Sequence, residues 1–104
     1  MGKFRLSRLA EADLLSIATY TLLTWGEAQT IRYLDELEGC CQQLADNPAF
    51  GRSCNDIRHS LYRREQGKHV IFFRREHGGI LVLRILHQRM LSGKQDFTEE
   101  DKEP

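Results

Sequence analysis

The chain has 104 residues, of which 40% are hydrophobic and 29% charged, a composition typical of one globular domain with a modest core. Its 15 lysines and arginines balance its 15 aspartates and glutamates, and this formal charge of zero argues against a protein that docks on nucleic acid through many phosphate contacts. No apolar run reaches the roughly 18 residues that a membrane span needs, and the N-terminus lacks the pattern of a secretion signal, so we expect a cytoplasmic protein without membrane contact.

The charges are spread unevenly along the chain. Residues 1–51 hold four basic and seven acidic residues, residues 52–93 hold nine and three, and residues 94–104 hold two and five. The basic charge therefore belongs to the second half, which indicates an anionic partner or a solvated basic surface.

The first half of the sequence predicts a strand and two helices. The stretch KFRLSRL begins with the alternation of a short strand. Over residues 10–25 an apolar stripe recurs at helical spacing, Gly26 is expected to stop that helix, and residues 27–45 form a second one. The stripe of the first helix consists of Leu14, Leu15, Ile17, Ala18, Leu22 and Trp25. Tyr20 and Leu23 fall outside it and are expected to be exposed, and the tight connection makes the helices an antiparallel hairpin.

The second half predicts three strands after a loop over residues 46–60. The strands are LYRRE over 61–65, KHVIFFRR over 68–75 and ILVLRILH over 80–87. The order β-α-α-β-β-β indicates an α+β fold in which the helical hairpin packs on one face of a small antiparallel sheet. We expect a single domain over residues 1–91 and a polar, acidic, frayed tail over residues 92–104.

The cysteines and glycines suggest no metal or cofactor. Cys40, Cys41 and Cys54 lack the spacing of a zinc site, and their odd number fits reduced thiols in a core. The sequence also lacks the glycine-rich, metalloprotease and nucleophile-elbow motifs of common enzyme classes. We therefore expect neither a metal site nor a bound cofactor.

The last predicted strand is apolar on both faces except for one arginine. Strand alternation predicts that one set of side chains lies under the helices and that the other faces away from them. The first set is Leu81, Leu83 and Ile85, and the second is Ile80, Val82, Arg84 and Leu86. On an open face, Arg84 would pair with a carboxylate of a partner, because a guanidinium offers a planar fork of donors. The alternative is that Arg84 extends to the edge of the sheet or pairs within the chain, with Asp56 or Glu65 as the candidate carboxylates.

Five stretches of the sequence resemble the ParE branch of the ParE/RelE toxin superfamily. They are RLAEADL, WGEAQTIRYLDEL, NPAFGRSCNDIR, HVIFFR and LRILHQRM, and the resemblance covers Phe4 to about Met90. It implies the toxin of a bacterial type II toxin–antitoxin pair, with one face of the sheet open. It also implies two partners: a ParD-like antitoxin that wraps the toxin, and DNA gyrase, which characterised ParE proteins poison.

The resemblance and the strand pattern together predict two surfaces. The predicted antitoxin-binding residues are Arg84, Val82, Leu86, Ile80, Tyr20 and Leu23. The predicted toxic surface follows the last strand, because that region is important for activity in similar toxins, and it comprises Arg89, Met90, Leu91 and His87. The acidic residues 96–104 are expected to be dispensable.

Two other functions remain open. Toxins that resemble RelE, in the sister branch, cleave messenger RNA on the ribosome with basic residues and a C-terminal aromatic residue or histidine. The candidates for such a role here are His59, His69, His87, Arg58, Arg63, Arg84 and Arg89. Met90 and Leu91 stand where the terminal aromatic residue is expected, and zero net charge disfavours docking on ribosomal RNA, so we favour a gyrase poison that acts by binding rather than as an enzyme. The second alternative is a non-toxic module that binds the antitoxin.

Overall fold

Five strands and two helices make up the part of the chain that the computed structural model describes, residues 2–92 and Phe97. In chain order they are β1 (Lys3–Leu6), α1 (Arg8–Trp25), α2 (Glu27–Asp46), β2 (Arg52–Ser53), β3 (Tyr62–Gln66), β4 (His69–Glu76) and β5 (Gly79–His87). Short 3₁₀ turns span Pro48–Phe50 and Gln88–Ser92. The predicted tail over residues 92–104 lies outside the described residues, except for Ser92 and Phe97.

The helical hairpin is set by a capping serine and a glycine. The Ser7 hydroxyl accepts the Ala10 N–H at 3.0 Å and donates to the Leu83 carbonyl at 2.8 Å, so α1 begins earlier than the apolar stripe predicts. Gly26 has φ +91°, a conformation that glycine adopts without strain, and its N–H donates to the Leu22 carbonyl. Because α2 starts at the next residue, the chain reverses at once and forms the predicted hairpin.

The sheet is mixed rather than antiparallel. Its strand order is β1-β5-β4-β3-β2, with β1 parallel to β5 and the other neighbours antiparallel. The predicted α+β class with a helical hairpin on the sheet is confirmed, but the all-antiparallel description is wrong. The first strand, β1, lies beside the last strand, β5, a long-range pairing that local alternation does not reveal. The short β2 also forms within the predicted loop.

A bulge in β5 reverses the predicted faces of its first half. Phe72 pairs with Arg84 and Phe73 pairs with Val82, which leaves Leu83 as an extra residue. An extra residue shifts the alternation that follows it to the opposite face. The hairpin side therefore holds Ile80, Val82 and Ile85, and the opposite side holds Leu81, Leu83 and Leu86. The predicted outward positions of Ile80 and Val82 are wrong, as are the inward positions of Leu81 and Leu83.

The core consists of two clusters, one on each face of the sheet. Under the hairpin, Leu37, Leu44 and Phe73 are among the buried residues. On the opposite side lies a group that we call the second-face cluster. It comprises Cys54, Leu61, Val70, Phe72, Leu81, Leu83 and Leu86, with Leu91 and Phe97 packed against it. The face predicted to be open is thus partly covered by the chain itself. Neither described helix is long and apolar enough to cross a membrane.

Candidate partner-binding surfaces

Arg84 joins β5 to α1 through a nearly buried ion pair. Its Nε lies 2.8 Å from Asp13 Oδ2 and its Nη2 lies 2.8 Å from Asp13 Oδ1, and the Ile85 N–H donates to Oδ2 at 2.9 Å. The two side chains are only 12% and 13% exposed. The alternative of a pair within the chain is therefore the one observed, with Asp13 in place of Asp56 or Glu65. The predicted position of Arg84 on the open face is wrong, because the bulge turns its guanidinium toward the hairpin.

Beside this ion pair, a tyrosine and two histidines form a polar cluster. The Tyr33 hydroxyl receives the Lys68 N–H at 3.2 Å and lies 2.6 Å from His69 Nδ1, so the hydroxyl is placed to donate to an unprotonated ring nitrogen. The His87 ring meets the His69 ring edge-on at 5.2 Å, and His87 Nδ1 accepts the Arg89 N–H. Burial, with the nearby His87, lowers the pKa of His69 to about 4 against a smaller opposing effect of Asp13, so His69 is neutral at neutral pH.

A groove of about 770 Å³ lies between α1 and the ends of β4 and β5, and we call it the α1 groove. From α1 it is lined by Ile17, Tyr20 and Trp25, and from the sheet side by Lys68, His69, Ile85, His87, Arg89 and Met90, among others. Tyr20 is 66% exposed and Trp25 is 68% exposed. Aromatic walls beside two cations suit an acidic peptide segment with apolar side chains.

The groove gathers residues from both predicted surfaces and adds others that neither surface included. Tyr20 comes from the antitoxin-binding set, whereas His87, Arg89 and Met90 come from the toxic set. Among the added residues are Trp25, Tyr33 and Lys68, together with His69, which sequence suggested only for the nuclease alternative. Trp25 was expected in the core, but it ends α1 just before the chain reverses, a position that sequence could have marked as only partly covered. No local signal brings Tyr33 and His69 together, because they lie on different elements.

The outer surface of α1 is more apolar than its stripe predicts. The predicted exposure of Tyr20 and Leu23 is confirmed, with 82% of Leu23 exposed. Leu15 and Leu22, assigned to the buried stripe, are 70% and 51% exposed, so that assignment is wrong. The buried positions of α1 are Ala10, Ile17 and Thr21, a narrow line beside which Leu15 and Leu22 stay exposed.

The remaining predicted site residues are split between the two faces. Ile80 and Val82 are fully buried under the hairpin, and Leu86 is 1% exposed in the second-face cluster. Met90 is 46% exposed, while Leu91 packs against the second-face cluster. Direct antitoxin contact by the buried residues, and toxicity through residues 87 and 89–91, both remain predictions.

The candidate nuclease residues do not all lie at one site. Four of them lie together on the hairpin side: His69, His87 and Arg89 line the α1 groove, and Arg84 bonds to Asp13, which also lines it. Arg63 instead stands over the Phe72 ring of the second-face cluster, 5.7 Å from its centroid, and bonds to Glu65. Arg58 donates to the Phe97 carbonyl on that same second face. His59 is exposed in the loop between β2 and β3.

The thiols lie inside the molecule. Cys40, Cys41 and Cys54 are buried and free, and burial raises the pKa of Cys41 to about 12, so none is a ready nucleophile. Within residues 2–92 and Phe97, no group of three histidine, cysteine or acidic side chains is arranged to hold a metal ion.

The fold agrees with the sequence relationships of the chain. Residues 4–92 match the family model described as the ParE toxin of the type II toxin–antitoxin system parDE. The chain belongs to the ParE toxin family, and the resemblance seen in the sequence is confirmed. The toxin ParE1 of Mycobacterium tuberculosis is 39% identical over 90 residues, covering 86% of this chain and 92% of that protein.

Other similar proteins are also named as ParE toxins. The toxin ParE1 of Caulobacter vibrioides is 38% identical over 92 residues, covering 86% of this chain and 93% of that protein. The toxin ParE of Escherichia coli is 34% identical over 91 residues, covering 86% and 88%. A solved structure of the chromosomal ParDE system from P. aeruginosa superposes with a TM-score of 0.69 at 21% identity, covering 84% of this chain and 96% of that chain, and it shows the shared fold.

Proposed function

We propose that this ParE-family chain acts as a toxin that a ParD-type antitoxin neutralises by filling the α1 groove. The observation that carries the proposal is the pair of exposed aromatic side chains, Tyr20 and Trp25, at a concave site with no cover among the described residues. Large aromatic side chains in pockets are the usual anchors of protein interfaces. Leu23, on the outer side of α1, extends the same apolar surface.

The charges at the groove define the chemistry of the antitoxin segment. The side chains of Lys68 and Arg89 line the groove and form no ion pair with the described residues. A segment that carries carboxylates beside apolar residues would therefore pair with both cations while its apolar side chains cover Tyr20 and Trp25. This revises the expectation from sequence: Arg84 holds Asp13, which lines the groove, whereas Ile80 and Val82 are buried in the core under the hairpin.

The groove also explains how binding would neutralise the toxin. Arg89 and Met90 of the predicted toxic surface lie in the groove, next to His87. An antitoxin segment there would cover them and block any target that uses them. The target that the family suggests is DNA gyrase in the cytoplasm, which the toxin would inhibit by binding. Met90 and Leu91, which stand where the nuclease branch is expected to carry a terminal aromatic residue, support binding rather than RNA cleavage.

A gyrase assay tests this function. Purified chain should inhibit negative supercoiling of plasmid DNA by gyrase, and equimolar ParD-type antitoxin should restore it. Arg89→Ala combined with Met90→Ala should weaken inhibition about tenfold, a typical loss for the removal of interface contacts. Intact supercoiling together with cuts in ribosome-bound messenger RNA would instead indicate the ribonuclease function. Normal growth of bacteria that express the folded chain alone would indicate the non-toxic module.

A further inference from the structure

The second face of the sheet holds a side chain from far along the sequence. The Phe97 ring packs edge-on against the Phe72 ring, with centroids 5.1 Å apart and planes at 67°. An Arg58 N–H donates to the Phe97 carbonyl, and Arg63 lies over the Phe72 ring. Phe97 is thus held through both its ring and its backbone by groups of the second-face cluster and its rim.

Phe97 has the character of a docked ligand more than of a core residue. It is the only hydrophobic residue in the stretch GKQDFTEEDKEP, and its neighbours are polar or acidic. Its own side chain is only partly buried, whereas Val70, Phe72 and Leu86 below it are at most 1% exposed. A single anchor within an acidic segment, placed on the basic half of the chain, is the pattern of a short bound peptide.

We propose that the second face is a peptide-binding site that Phe97 occupies within the same chain, and that an antitoxin segment takes over this site on binding. Like the stretch around Phe97, the replacing segment would carry one large apolar residue flanked by carboxylates. This inference rests on the proposed function, since it takes the antitoxin as the partner. The contact between Phe97 and the second face is independent of that assumption.

The release of Phe97 would also affect the proposed toxic surface. Leu91 packs against the same cluster, and it lies in the 3₁₀ turn Gln88–Ser92 together with Arg89 and Met90. Displacement of Phe97 therefore uncovers the apolar support of that turn. On this proposal the dispensable part of the tail is residues 98–104, rather than residues 96–104 as expected from sequence.

Reaction of the three thiols with a maleimide, resolved by mass spectrometry, tests whether Phe97 covers the second face. Cys54 belongs to the second-face cluster, whereas Cys40 and Cys41 lie under the hairpin and serve as internal controls. Phe97→Ala should speed the labelling of Cys54 about tenfold through local opening and leave Cys40 and Cys41 slow. The matched control, a chain that ends at Phe97, should label like the full chain.

A peptide added in trans separates a replaceable ligand from a fixed core residue. The free peptide of residues 93–104 should bind the Phe97→Ala chain and return Cys54 to slow labelling, whereas the same peptide with Phe97→Ala should not. Equal Cys54 rates in the Phe97→Ala and unchanged chains would overturn the proposal. Faster labelling of all three cysteines would also overturn it, because Phe97 would then be required for the whole fold.

Replacement by the antitoxin is tested with fluorophenylalanine at position 97. The ¹⁹F resonance should move to its solvent-exposed position when the ParD-type antitoxin binds the otherwise unchanged chain. Antitoxin binding without any change in this resonance would reject the replacement and leave the proposed function standing. Absence of antitoxin binding, with Cys54 labelled as expected, would reject the proposed function and remove the assumed partner.

Discussion

Arg84 and Asp13 form the least exposed ion pair among the described residues, and this pair links β5 to α1. Removing one member of such a pair leaves the other charge in a poorly solvated site. Arg84→Ala should therefore lower the free energy of unfolding by about 3 kcal/mol in urea denaturation, since Asp13 would keep only the Ile85 N–H.

The matched control is the ion pair between Arg52 and Glu65, whose side chains are 67% and 38% exposed. Arg52→Ala should cost less than about 1 kcal/mol, because water screens an exposed pair. Equal costs for Arg52→Ala and Arg84→Ala would contradict a structural role for the Arg84–Asp13 link.

His69 should make the stability of the protein depend on pH. The groups that face it are Tyr33 from α2, His87 from β5, Asp13 from α1 and Lys68 beside it. Its pKa is about 4 in the folded chain and about 6.5 when unfolded. The unfolded chain thus binds more protons between these values, so stability is full above pH 6.5 and falls as the pH drops toward 4.

The expected loss, discounted for the partial exposure of the ring, is about 1 to 2 kcal/mol between pH 7 and pH 4. Urea unfolding at a series of pH values measures it. In His69→Gln, which keeps an acceptor for the Tyr33 hydroxyl, this part of the pH dependence should disappear. An unchanged pH profile in that variant would assign the effect to other groups.

At the scale of the elements, the turn between the helices depends on one glycine. Gly26 has φ +91°, where a side chain is strained even though an added Cβ would meet nothing within 4 Å. Gly26→Ala should therefore destabilise the chain by about 1 kcal/mol. Gly39, inside α2, also has open space around an added Cβ, and Gly39→Ala should stabilise the chain by about 0.5 to 1 kcal/mol. Thermal unfolding compares the two variants, and a stabilising Gly26→Ala would contradict the assigned turn.

Local sequence patterns predict the helices and strands of this fold, but not the face of the sheet on which each side chain lies. Helical spacing and Gly26 were sufficient to predict the hairpin, because these signals act within a few residues. The bulge at Leu83 carries no such signal, and one extra residue exchanged the faces of Ile80 and Val82. The same limit applies to Arg84, whose partner on α1 is 71 residues away in sequence.

For the same reason, the candidate site could be predicted from the sequence only in part. Tyr20 and Leu23 could be predicted as exposed because they break the period of a single helix. The cluster of Tyr33, His69 and His87 joins three elements, so its existence depends on the tertiary packing of α2 against the sheet.

For the whole molecule, two proposed binding faces lie on opposite sides of one sheet. The hairpin side presents the α1 groove, with aromatic walls beside Lys68 and Arg89. The opposite side presents the second-face cluster, which Phe97 covers. An antitoxin that occupies both faces would surround the sheet, with the 3₁₀ turn Gln88–Ser92 between them. The two sites can be disabled separately, because they share no described side chain.

The affinity of the ParD-type antitoxin for groove variants, measured by calorimetry, tests the central claim most directly. Tyr20→Ala combined with Trp25→Ala should weaken binding about 100-fold, since two aromatic anchors are removed from one pocket. The control is Ile57→Ala, which removes a 52% exposed apolar side chain from the loop between β2 and β3 and should change the affinity by less than about twofold. Folded groove variants that bind the antitoxin as tightly as the Ile57→Ala chain would contradict the assignment of the α1 groove as the antitoxin site.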